Sequence, residues 1–118
     1  MMKCRFRCGM GSIRNRLPNR RASLTFGFIC GPHQYTATVS YFPGTNELAE
    51  IFLGNGRAGS DVDAAAKDSA VVASIALQHG VSVEVLQKAL LRDPRGVASS
   101  PLGVALDHIA TSSAREHE

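Results

Sequence analysis

Three groupings of residues in this sequence have types and spacings suited to chemistry. Gly54-x-Gly56-x-x-Gly59 is a glycine pattern that, between a strand and a helix, would turn backbone N–H groups toward a phosphate or nucleotide. Arg57 lies within it and Ser60 follows at the helix start. Cys4-x-x-x-Cys8 and Cys30-x-x-His33 supply, on paper, the four ligands of a structural zinc site, two from the amino terminus and two from a hairpin turn. Arg14, Arg16, Arg20 and Arg21 belong to a basic arm of the kind that meets nucleic acid or another polyanion.

Each grouping also has a plainer reading. No acidic residue follows the glycine pattern at the ribose-binding distance, and Asp61 and Asp63 fall in the first helical turn, where they would repel a phosphate. A tight turn entering a self-capped helix uses the same residues. Cys30 falls on the apolar alternation of a strand, where a buried free thiol is the usual state. Basic terminal segments are commonly only solvated. A constellation for hydrolytic or acid–base catalysis is missing: Glu50, Asp61 and Asp63 have surface or capping roles, and no serine or cysteine has a motif-supported base. No catalytic residue is therefore expected. His79, before Gly80 at a helix end, reads as a cap partner, and His108 and His117 as solvent-facing.

Charge is unevenly distributed. Of thirteen Lys and Arg residues in a chain of net charge +3, seven lie in the first 21 positions: Lys3, Arg5, Arg7, Arg14, Arg16, Arg20 and Arg21. This region lacks a sustained apolar period and reads as a flexible arm over residues 1–21. It also lacks a signal-peptide apolar run, and three cysteines are too few for a disulfide scaffold, so a cytoplasmic location is expected. The longest apolar stretch, Ala70 to Leu77, is far shorter than a membrane span needs, so no membrane partner is expected. With 118 residues, 44% of them hydrophobic and 19% charged, one packed core is the natural outcome.

The elements that must position these groups follow from periodicity. Leu24, Phe26, Phe28 and Cys30 alternate with Ser23, Thr25, Gly27 and Ile29 as in a half-buried strand, ended by Gly31-Pro32-His33. Tyr35, Ala37, Val39 and Tyr41 repeat the pattern in a second strand from Gln34 to Phe42, which Pro43-Gly44-Thr45-Asn46 ends. Leu48 to Leu53 reads as a third, with Ala49, Ile51 and Leu53 facing inward and Glu50 toward water. Ser60 and Asp63 look like a capping pair opening a helix that ends at Gly80. Its polar stripe is Asp63, Lys67, Ser74 and Gln78, with Asp63 and Lys67 spaced to pair. Val71, Val72, Ile75, Ala76 and Leu77 cover the rest, the mark of a central, packed helix.

Ser82 caps a second helix to about Leu91, with Glu84 paired toward Lys88. Ser100-Pro101 opens a third, in which Leu102, Ala105, Leu106 and Ile109 repeat at helical spacing, and residues 111–118 should fray. The expected fold class is α+β: a three-stranded antiparallel meander followed by about three helices on one face, forming a single domain over residues 22–110.

The runs Tyr35-Thr-Ala-Thr-Val-Ser-Tyr and Leu48-Ala-Glu-Ile-Phe-Leu, then Gly-Arg-Ala-Gly-Ser and Val72-Ala-Ser-Ile-Ala-Leu-Gln-His-Gly-Val, resemble the TSCPD domain. That domain lies near the carboxyl end of vitamin B12-dependent (class II) ribonucleotide reductases and also occurs as short stand-alone bacterial proteins. The chain is more similar to the latter, including Arg16-Leu-Pro-Asn-Arg-Arg before the first strand; the likeness covers about residues 16–110. The family is named for a Thr-Ser-Cys-Pro-Asp segment, yet this sequence has no cysteine after Cys30, so a dithiol relay does not carry over. The reductase's catalytic barrel and cobalamin site are absent as well.

The resemblance therefore implies a non-catalytic binding or regulatory module working through a protein or nucleic-acid partner. The alternative it implies is a reductase-linked accessory domain binding nucleotide or phosphate at Gly54–Ser60. Free edges of a three-stranded sheet, poor in lysine, would also suit a homodimer.

Overall fold

The computed structural model describes residues 13–19 and 21–116, with side chains of the last helix followed as far as Ser112. Three strands, β1 (Ser23–Cys30), β2 (His33–Tyr41) and β3 (Leu48–Gly54), form an antiparallel sheet in the order β1-β2-β3. Three helices follow: α1 (Asp61–Gln78), α2 (Val83–Ala89) and α3 (Pro101–Glu116). The α+β class and the meander are as expected.

The meander follows from local chemistry. Gly31, at φ +59°, and Pro32 make a two-residue turn that pairs Cys30 with His33 and fixes the register through Ser23 opposite Ser40. The Asp63 N–H donates to the Ser60 side chain, capping α1 as the sequence predicts. The inward residues Phe28, Tyr35, Ala37, Val39, Ile51 and Leu53 form one wall of the core. Ala66, Ala70, Ala73 and Leu77 of α1 and Leu102, Ala105, Leu106 and Ile109 of α3 form the other.

Helix α1 departs from expectation in an informative way. Three of the four residues of its polar stripe are buried rather than wet: Asp63, Ser74 and Gln78 face the sheet and Lys67 stays exposed, while Val72 is 68% exposed and Val71 and Ile75 are exposed too. The reason lies in the edge of β3. In an antiparallel ladder alternate residues turn their backbone groups away from the partner strand. Here Ala49 and Ile51 do so, and the helix meets both Ile51 groups and the Ala49 carbonyl. The Ile51 N–H donates to Ser74 Oγ (2.9 Å), and the Ser74 hydroxyl donates to the Ile51 carbonyl (2.9 Å). Gln78 Nε2 donates to the Ala49 carbonyl (3.1 Å), and the Asn55 N–H donates to Asp63 Oδ1 (2.8 Å).

Asp63 to Gln78 spans about 22 Å of helix and Ala49 to Asn55 about 20 Å of strand, so a helix running antiparallel to β3 reaches every one of these groups. Close approach to the strand favours small residues on the neighbouring face, which explains the alanines.

Glu50 is also corrected. It points to the opposite face of the sheet but is only 6% exposed, because the chain before β1 covers it. Arg21 Nε and Nη2 donate to the two Glu50 carboxylate oxygens (2.5 and 3.2 Å), and the Asn15 N–H donates to the Gln78 carbonyl (2.8 Å). Asn15 and Arg21 thus tie the chain before β1 to the end of α1 and to the outer face of β3.

Helix α2 is shorter than expected, ending at Ala89, and the Glu84–Lys88 pair is not among the ion pairs of the described residues. The Asp63–Lys67 pair does form, at 2.8 Å. Arg92 donates two bonds to Asp107 (2.9 and 2.8 Å) and Gln87 a third (2.8 Å), which ties the α2–α3 connection to α3. Helix α3 continues to Glu116, beyond the expected fraying point at Thr111.

Candidate functional site

The glycine loop is built around its own carboxylate. Gly56 and Gly59 both sit at φ +85°, a conformation that a side chain would strain, so their role is accounted for by turn geometry. The Ser60 hydroxyl donates to the Arg57 carbonyl (2.8 Å) and accepts from the Asp63 N–H (3.1 Å). Asp63 takes the Asn55 N–H at the start of the loop; that bond and the adjacent Lys67 hold its carboxyl below the usual carboxylate range. The buried Asn55 Oδ1 accepts from no described group, while Nδ2 donates to the Gln34 carbonyl (3.0 Å). Gly54 lies beside the Asp63 carboxylate, and Arg57 is exposed. The carboxylate at the base of the loop is thus buried and already occupied by Asn55 and Lys67.

The basic grouping is partly engaged. Arg21 is bound to Glu50, and Arg14 Nε donates to Gln78 Oε1 (2.6 Å). Arg16 is exposed, and Arg20 lies outside the described residues. Of the four candidate zinc ligands, Cys30 and His33 are direct cross-strand partners beside the turn, whereas Cys4 and Cys8 lie outside the described residues. Burial pushes the Cys30 thiol up, and its Sγ approaches the Ser99 carbonyl at 3.9 Å. His33 packs edge-on to Tyr35, and no group of three or more His, Cys, Asp or Glu among the described residues is placed to hold a metal. His108, expected to face solvent, is exposed yet has its ring 5.8 Å from that of Phe26.

The carboxylates with shifted proton affinity are all structural. Asp63 is held low by Asn55 and Lys67, Asp107 by Arg92 and Gln87, and Asp93 by the Val97 and Arg95 N–H groups. Such groups stay ionised at neutral pH and are poor proton carriers.

The feature most open to a partner is the edge of β1. The pair beside a two-residue turn is hydrogen-bonded and bonded pairs alternate, so Leu24, Phe26, Phe28 and Cys30 bond to β2. Ser23, Thr25, Gly27 and Ile29 then turn their N–H and C=O groups outward. The β1–β2 register is unbroken, and β1 contains no charged residue and no proline. Leu24 and Ile29 are 60% and 70% exposed.

Two clefts also open on the surface, neither signalled by any linear spacing. One, of about 440 Å³, lies between the β2–β3 turn and α2. The other, of about 510 Å³, has Val62, Ala66, Leu90 and Leu102 among its lining residues, with Tyr35 beside them.

The described structure thus has an α+β fold with one sheet edge covered by a helix and the other open, and no helix in it is long and apolar enough to cross a membrane. Comparison of the chain with models of known families, with curated proteins and with solved structures finds no match.

Proposed function

We propose that this chain is a non-catalytic protein-binding module that takes up an extended strand on the open β1 edge, the strand coming from a second copy of the same chain. The observation that carries the reading is the contrast between the two edges. The β3 edge is closed by Ser74, Gln78 and Asp63, whereas β1 offers four consecutive outward positions with no charge, proline or bulge to deter pairing. An antiparallel edge is self-complementary about a two-fold axis, so one copy satisfies another without a further partner.

The nucleotide reading at Gly54–Ser60 is less favoured because Asp63 takes up one of the loop's backbone donors and, with Asp61, puts negative charge in the first turn of α1. The nucleic-acid reading loses Arg21 to Glu50. The TSCPD resemblance remains compatible with a binding module and rests on the sequence runs alone.

Sedimentation equilibrium on the full chain tests the proposal. A dimer of the 12.6 kDa chain is expected, converted to monomer by Gly27→Pro, which removes an outward N–H and no bond to β2. Ile29→Lys serves as an independent block, placing a charge on the edge strand of the kind that deters edge-to-edge pairing. A wild-type chain that stays monomeric at millimolar concentration, or a dimer indifferent to both substitutions, overturns it.

A further inference from the structure

The 440 Å³ cleft opens where the β2–β3 turn, the α1–α2 link and the later part of α3 meet. Its volume is in the range of small-molecule sites. Leu48, Leu77 and Ile109, each buried to 5% exposure or less, give it an apolar floor. Tyr41 and Phe42 add two aromatic rings to the lining.

The charges are the telling feature. Among the described lining residues the charged side chains are Glu47, from the turn, and Glu84, from the first turn of α2; no Lys, Arg or His joins them. In a chain of net charge +3 this is a local reversal of sign. Neither carboxylate belongs to any ion pair of the described residues, and Lys88, one helical turn beyond Glu84, does not close on it.

We propose that this cleft binds an organic ammonium ion, a protonated amine carried on a short apolar or aromatic body. The two carboxylates would repel an anion and would lie idle beside a neutral hydrocarbon. A bare metal ion would make no use of the apolar floor. An ammonium head would pair with Glu47 and Glu84 beside the rings of Tyr41 and Phe42, while its apolar body covers the floor. No residue of β1 lines the cleft, so this proposal and the strand-pairing proposal fail separately.

The test is a ¹H–¹⁵N NMR titration of the full chain with phenethylammonium, set against 3-phenylpropionate, an anion of similar shape. Saturable shifts are expected for the ammonium at the amides of residues 44–48 and 80–87, with at most weak, unsaturated shifts for the anion. Glu47→Gln combined with Glu84→Gln should weaken binding on the order of tenfold, the loss expected for charge-assisted contacts. Asp61→Asn combined with Asp68→Asn removes the same charge from an exposed part of α1 and should change affinity less than about twofold. Equal binding of the anion, shifts that do not saturate, or unchanged affinity in the Glu47/Glu84 variant would overturn the proposal.

Discussion

Ser74 and Ile51 exchange two hydrogen bonds, the hydroxyl of the helix residue accepting from the strand residue's N–H and donating to its carbonyl. One side chain thus satisfies both backbone groups at a buried position of the β3 edge. Removing it leaves an N–H and a C=O unmet inside the protein, so Ser74→Ala should lower stability by about 1–3 kcal/mol. Urea unfolding followed by circular dichroism measures this, and an unchanged midpoint would mean that the edge is satisfied in another way.

The acid limb of stability should depend on Asp63. Its carboxyl lies below the ordinary carboxylate value because the Asn55 N–H and Lys67 favour the charged form. A depressed folded-state value contributes stability above the unfolded value, near pH 4, which is lost as pH falls toward the folded value. Asp63→Asn should therefore be less stable than wild type at pH 7, with the gap narrowing as pH falls below about 4. Thermal unfolding across that window checks the sign.

Arg21 and Glu50 should behave as a pair. Glu50 is buried, so losing Arg21 leaves a carboxylate without its cation. Arg21→Met alone should destabilise, and adding Glu50→Leu should recover part of the loss by removing the stranded charge. A double-mutant cycle decides; strictly additive effects would show that the contact contributes nothing.

Gly103 in α3 predicts a substitution that contradicts helix propensity. Alanine is ordinarily about 1 kcal/mol better than glycine in a helix. A Cβ at this position would lie 2.9 Å from the Cβ of Ala98, so Gly103→Ala should instead destabilise by about 1–3 kcal/mol. Denaturant unfolding with an unchanged slope would confirm overpacking.

The strands, the Ser60 and Ser100 caps and the inward face of α3 were legible because each depends on local spacing. The orientation of α1 was not. Asp63, Ser74 and Gln78 stand out as a stripe in the sequence, and polarity alone sends such a stripe to water. Their partners are backbone groups of a strand edge, 8 to 29 residues away, which no side-chain periodicity encodes. Burial of Glu50 has the same origin, since its cover is Arg21, 29 residues earlier. The open β1 edge follows from strand order, but its contrast with the closed β3 edge required knowing where α1 lies.

Amide hydrogen exchange along β1 tests the central claim most directly. If copies pair through this edge, the Thr25, Gly27 and Ile29 amides, which point away from β2, should be protected, and protection should rise with protein concentration. Fast exchange at these three positions at every concentration, beside protected Phe26 and Phe28, would show an edge that stays open and contradict the account.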